Sequence, residues 1–282
     1  GDLLKAWLKL LDTNNAQGEY YLTDTVSIAH KAGIIINSVQ IHDADEVQGV
    51  NDRLQLTDLE RSYQLAYARK LALSGVTIAD TNRLDVRGEL SVGRDVNLDV
   101  NIIFEGKNRI GNRVVIGANV QLINCDIGDD TQILANSHLD SVVVEHSCTI
   151  GPFARLRPGT VLKPRAKIGN FVETKKATVG PDSKINHLSY IGDTELGASV
   201  NIGAGTITCN YDGVNKFKTI IRDGVFVGSN TALVAPVEIG VNATIGAGSV
   251  ITNNVPDQDL AVARGKQKNI SGWKRPVKIK AD

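Results

Sequence analysis

From Val86 onward an aliphatic residue or a phenylalanine returns at every sixth position: Val86, Val92, Leu98, Phe104, Ile110, Ile116 and Leu122. Five-residue slips then reset the frame. The series resumes at Ile127, Ile133 and Leu139, at Val144, Ile150, Leu156, Leu162 and Ile168, at Val179, Ile185 and Ile191, and at Leu196 and Ile202. After an interruption over 208–220 it runs from Ile221 in steps of six to Ile251. A period of six matches neither the 3.6 of an amphipathic helix nor the wider turn spacing of a β-sandwich. It implies a triangular solenoid in which each hexad gives one short strand and one corner, three hexads make a coil, and the aliphatic points inward. Coils would stack through parallel ladders about 4.8 Å apart, so roughly 155 repeat residues make about nine coils and a prism on the order of 40–45 Å long. The 27 glycines against 13 aromatic residues agree with many tight corners and no aromatic-rich core.

The stretch up to Gly75 has a different character. Leu3 to Leu11 and Leu22 to Ala32 read as helices and Ile34 to Ile41 as a buried strand by its β-branched run. Two or three helices and one strand bury little core, so this stretch reads as the end of a larger domain. The absence of methionine, even at position 1, points the same way. Thr57-Asp58-Leu59-Glu60 reads as the start of a connecting helix that stops at Gly75.

The 31 acidic and 31 basic residues balance, which argues against non-specific polyanion or nucleic-acid binding. No apolar run approaches the roughly 18–20 residues of a membrane span, and the N-terminus lacks a secretory pattern, so a cytoplasmic protein is expected. Cys125, Cys148 and Cys209 lack C-x-x-C spacing and read as free buried thiols.

A solenoid filled with side chains has no internal pocket, so chemistry must lie on its faces, in insertions or between neighbouring prisms. The interruption at 208–220 is polar and basic, long enough to reach a neighbour, and also compatible with a tolerated insertion. His187 sits mid-hexad and points outward if Ile185 points in. Arg155, Arg157, Lys175, Lys176, Tyr190 and Lys216 come from nearby coils and can gather on an anion, although charge runs also occur as plain solvated faces.

Longer motifs are more particular. Gly-Pro-Phe-Ala-Arg-Leu-Arg-Pro-Gly (151–159), Gly-Asn-Phe-Val-Glu-Thr-Lys-Lys-Ala (169–177), Asn-Ile-Gly-Ala-Gly-Thr-Ile-Thr-Cys-Asn-Tyr-Asp-Gly (201–213) and Asn-Lys-Phe-Lys-Thr (215–219) closely resemble the acetyltransferase domain of the bacterial bifunctional N-acetylglucosamine-1-phosphate uridyltransferase/glucosamine-1-phosphate N-acetyltransferase family. Segments 15–24 and 46–56 are similar to the end of that family's uridyltransferase domain. The resemblance implies a mainly β fold, a left-handed parallel β-helix, divided as a nucleotidyltransferase remnant (1–53), a linker helix (54–75) and the β-helix acetyltransferase domain with a C-terminal tail (76–282). It implies a homotrimer with active sites between subunits, acetyl-CoA as co-substrate and a sugar phosphate as acceptor. His187 would be the general base and Glu173 would orient it. Arg157, Lys175, Tyr190 and Lys216 would bind the phosphate and Asn201 the sugar. Ala204, Asn210, Tyr211, Ser229, Ala247 and Arg264 would line the acetyl-CoA site. Apart from the resemblance, the oxyanion of a tetrahedral intermediate needs a pre-placed donor, for which a backbone N–H near Ser229 is the candidate.

Nothing before Gly75 resembles the family's Gly-rich nucleotide loop, so no uridyl transfer is expected of this chain. Asn51 matches a Mg2+ ligand of that other site, but one amide oxygen without carboxylate and phosphate partners does not retain the ion. The basic, aromatic tail 272–280 would lie near an active site or else fray. Two further readings stay open: a metal hydratase on the same fold, which needs three converging histidines where the repeat has His138, His146 and His187, and a non-catalytic oligomerisation scaffold.

Overall fold

The computed structural model describes residues 1–276 and Lys278. The chain divides into two units, Gly1–Leu59 and Glu60–Asp282.

In the first unit, helix α1 (Asp2–Leu8) and helix α2 (Asp24–Lys31) pack on each other, and Ala29 is the one buried apolar residue among those described. The segment expected as a buried strand, Ile34 to Ile41, forms no strand; Ile34, Ile35, Ile36 and Val39 are exposed. A strand exists only through its ladder, and no described residue of this unit supplies a second one. Helix α3 (Arg53–Leu73) starts about a turn before the expected Thr57, because Asp52 accepts from the Gln55 N–H at 2.8 Å while the Gln55 side chain accepts from the Asn51 N–H at 2.8 Å. That is a capping-box arrangement reaching one position further back than usual. It stops as read: Gly75 adopts φ +102°.

The second unit is a parallel β-helix. One face is an 11-stranded sheet running from Thr77–Ile78 to Leu260–Ala261, and the other two faces merge into a 15-stranded sheet through strands such as Leu84–Val92 and Ile102–Ile110 that continue around a corner. The 11 strands exceed the nine coils expected, because the stacking extends beyond both ends of the aliphatic series. Every residue of that series is buried except Val92, which packs partly buried against the core.

Register explains the slips. Asn97 pairs with Val115 across a full coil of three hexads, whereas Val115 pairs with Gln132 across a coil that is shorter by one position. The short coils lose that position at one corner, where Asn124, Ser141, Lys176 and Asp193 take positive φ. The missing beat between Ile168 and Val179 is Thr174, which is fully buried and hydrogen-bonds Thr160 at 3.0 Å. Thr208 likewise points inward and accepts from the Gly192 N–H at 2.8 Å. Within this unit, the second half of α3 closes the first coil: the buried Gln64 amide makes both hydrogen bonds that a strand would offer Val86, at 2.8 and 3.0 Å.

Leu156 lies fully buried between stacked neighbours. Leu156→Ala is expected to lower unfolding free energy by about 2–5 kcal/mol, read from the urea midpoint. Burial also pushes the Cys125 and Cys148 thiols up to about 11. Both stay protonated at pH 8, so a disulfide reagent at that pH is expected to leave them unmodified until denaturant is added.

Candidate active site

His187 ends the strand Lys184–His187, paired in parallel with Lys167–Asn170 so that Asn170 stands opposite His187 one coil back. The imidazole is exposed and its Nδ1 lies 2.8 Å from the Asn170 Oδ1. The chain then turns sharply: Leu188 has φ +49°, and one and two coils earlier Phe171 and Phe153 hold the same corner at φ +54° and +56°. Asparagine occupies this place at 101, 119 and 136. Bulky residues rarely accept such angles, and here they leave Leu188 61% exposed and the two phenylalanine rings stacked 5.3 Å apart.

Toward the C-terminus the same corner is stripped of bulk. Backbone rungs from Leu188 N to Asn170 O (3.0 Å), Gly205 N to His187 O (3.4 Å), Asn230 N to Ala204 O (2.7 Å) and Gly248 N to Ser229 O (2.8 Å) align Asn170, His187, Ala204, Ser229 and Ala247 in one column. The Arg264 guanidinium donates to the Ala247 carbonyl at 2.6 Å. A Cβ on Gly203 would stand 2.6 Å from the Ser229 nitrogen, so the close approach of these two coils requires glycine there. Three coils from His187 to Ala247 span about 14 Å.

Around the corner from His187, Tyr190 follows Glu173 in register, and Gly192 follows Lys175. The bare Gly192 makes room for two groups, since a Cβ there would meet the Tyr190 hydroxyl at 2.5 Å and the Asn210 Nδ2 at 2.9 Å. Asn210, nearly buried, donates to the Asp193 carboxylate. The interruption is a small hairpin closed by an antiparallel bridge between Tyr211 and Lys216, its turn tied by Asp212 Oδ1 accepting from the Val214 and Asn215 N–H groups. This hairpin brings Lys216 to Lys175. The Lys216 side chain, by hydrogen bond and then by charge, and after it Arg157 hold the Lys175 ammonium below its ordinary value. Three cations thus converge beside two carboxylates, Asp193, which acts on Lys175 in the opposite sense, and Glu173, bonded to Arg157 at 2.7 Å with both side chains one-third exposed. Such a surplus of positive charge suits an anion.

The structure therefore assembles Arg157, Glu173, Lys175, Tyr190, Asn210 and Lys216 on one face, and His187, Ala204, Ser229, Ala247 and Arg264 along the adjoining corner. Asn201 is elsewhere, stacked on Lys184 on the face before that corner. Tyr211 stays exposed, its hydroxyl donating to the Gly213 carbonyl. The hydrogen-bond partner of the His187 ring is the Asn170 side-chain oxygen, while Glu173 is engaged by Arg157. Asn170 escaped the sequence reading; the signal was present, because Asn170 lies one short coil before His187. Of the tail, Val277, Ile279 and Lys280 lie outside the described residues.

Among the described residues, no group of three or more His, Cys, Asp or Glu is arranged to hold a metal ion. Asn51, exposed in the first unit with its N–H bonded to Gln55, does not by itself fit a Mg2+ site. No helix among the described residues is long and apolar enough to cross a membrane.

The family described as bacterial transferase hexapeptide (six repeats) matches residues 218–253, which defines the repeat as that of the hexapeptide transferase class. The chain is 55% identical over 278 residues to the bifunctional protein GlmU of Pseudoalteromonas atlantica and 58% identical over 275 residues to that of Marinobacter nauticus, covering 99% and 98% of this chain. Over that length it belongs to the GlmU family. The chain spans 61% of the length of these relatives. The UDP-N-acetylglucosamine acyltransferase of Francisella novicida is 17% identical with a TM-score of 0.49, covering 66% of this chain and 67% of that one.

A depressed ammonium presents more neutral amine at a given pH. Lys175 is therefore expected to react readily with an amine-acylating reagent at pH 8–9. Peptide mass spectrometry is expected to find the labelling slowed by Lys216→Ala, and slowed equally by saturating inorganic phosphate.

Proposed function

We propose that this chain transfers the acetyl group of acetyl-CoA to the amine of glucosamine 1-phosphate, giving N-acetylglucosamine 1-phosphate and CoA. The observation that carries the reading is the adjacency of an exposed histidine, a three-cation cluster and a column of small residues. The exposed imidazole of His187 is suited to take the proton that the amine must lose as it attacks the thioester carbon, histidine being the side chain that commonly serves as a general base near neutral pH. The new C–N bond forms as the C–S bond breaks, and the proton held by His187 goes to the departing thiolate. No enzyme nucleophile is required, because the thioester is already activated, which leaves Cys209 a packing role.

Arg157, Lys175 and Lys216 would hold the phosphate, with the Tyr190 hydroxyl beside them; Glu173 would fix Arg157, leaving its outer N–H groups to the ligand. Asn201, on the neighbouring face, would reach the sugar. The channel past Ala204, Ser229 and Ala247 suits the extended pantetheine arm, Arg264 the coenzyme's anionic end, and Asn210 and Tyr211 its rim. A one-chain solenoid offers this site only one wall, so the proposal includes a homotrimer with sites between subunits. It also includes a cytoplasmic location, a first segment (1–53) derived from the family's uridyltransferase region, and α3 as its link. No uridyl transfer is proposed for this chain.

Thiol release from acetyl-CoA tests the reading directly. Turnover is expected with glucosamine 1-phosphate and not with glucosamine 6-phosphate, and His187→Ala is expected to reduce it about 10²- to 10⁴-fold. A folded, oligomeric chain without turnover would leave the scaffold reading in its place. Sedimentation of the wild-type chain as a monomer would remove the second wall and with it the proposed site.

A further inference from the structure

We infer that Asn170 is a positioning residue that fixes the tautomer of His187, an inference that rests on the proposed role of His187 as base. The geometry is specific. Asn170 and His187 are register partners on stacked coils, tied by pairs at Lys167 with Lys184 and Ile168 with Ile185, and by the Leu188 N to Asn170 O rung at 3.0 Å. Both side chains leave the same corner, and the Asn170 Oδ1 meets Nδ1 at 2.8 Å. An amide oxygen only accepts. Nδ1 therefore carries the ring proton, and in the neutral imidazole Nε2 is left with its lone pair, bonded to no other described residue. That is the tautomer a base acting through Nε2 needs, and it is the one free histidine disfavours.

Two surrounding features hold the pair. Gly169 lets the coils approach: a Cβ there would stand 1.9 Å from the Asn186 carbonyl oxygen, so the backbone just before Asn170 lies closer to its neighbour than any other residue permits. The positive φ values at Phe171 and Leu188 end both strands at the same point, so the two side chains stay level. A neutral amide also differs in kind from a carboxylate partner. It orients the ring without adding a charge that would favour imidazolium over the neutral base. Glu173, held by Arg157, makes no recorded bond to the ring.

The test separates tautomer from turnover. Long-range 1H–15N spectra of protein labelled with 15N-histidine at pH 8, with the His187 signals assigned by their loss in His187→Gln, read which nitrogen is protonated. Wild type is expected to show Nδ1–H and bare Nε2 at His187. Asn170→Asp retains an acceptor and is expected to keep that tautomer, whereas Asn170→Ala is expected to shift the proton mainly to Nε2. The alanine variant is also expected to lose about 10- to 100-fold in kcat, with both KM values within about twofold of wild type. Nε2–H in the wild-type ring, an unchanged tautomer in Asn170→Ala, or a shifted tautomer with unchanged kcat would each overturn the inference. The expected tautomers in a wild-type chain without acetyl transfer would instead uphold the pair and overturn the function proposed above.

Discussion

Parallel stacking is the constraint from which everything else in the second unit follows. Each strand bonds to its counterpart one coil away, so side chains of like position line up in columns about 4.8 Å apart. Inward columns make the core, in which each buried side chain is packed by its counterparts above and below. Outward columns make the chemistry. A histidine, an asparagine, two alanines and a serine become one column because they share a register, although the chain passes through several complete coils between Asn170 and Ala247.

That geometry makes the molecule readable and also sets where reading stops. The aliphatic period identified the solenoid and its main inward column from Val86 to Ile251, but not the second inward place of each hexad, where residues such as Val96, Val114, Val172 and Val200 are also buried. It passed over Thr174 and Thr208, which fill inward places with hydroxyls bonded to Thr160 and to the Gly192 N–H, since a pattern of apolar residues does not register a buried polar group. It stopped short at the ends, where Thr77–Ile78 and Leu260–Ala261 join the sheet with Ile78 and Ala261 only partly buried against the core. In the first unit the β-branched run 34–41 had the composition of a strand and no partner, and pairing decides.

The candidate site was legible mostly through its motifs. The basic residues at 157, 175 and 216 are scattered in sequence, and it is the hairpin closed by Tyr211 and Lys216 that joins the third to the other two. Asn201, by contrast, belongs to a different face in spite of its closeness in sequence to Ala204, because a corner lies between them. Asn170 shows the opposite case. It has no local signature, and its place opposite His187 emerges only when the slips in the repeat are counted correctly, since three uninterrupted hexads would set Gly169 against His187.

The channel of small residues runs toward the end of the sheet: Ala247 lies in the coil before the last strand, and Arg264 reaches it from the chain that follows. In a linear array where each coil touches only its neighbours, opening is least costly at the termini. A ligand lying along Ala204, Ser229 and Ala247 would bridge several of these terminal coils at once. Its binding energy would then be felt chiefly as protection against fraying, so that occupancy of the channel and the order of the C-terminal end become a single equilibrium.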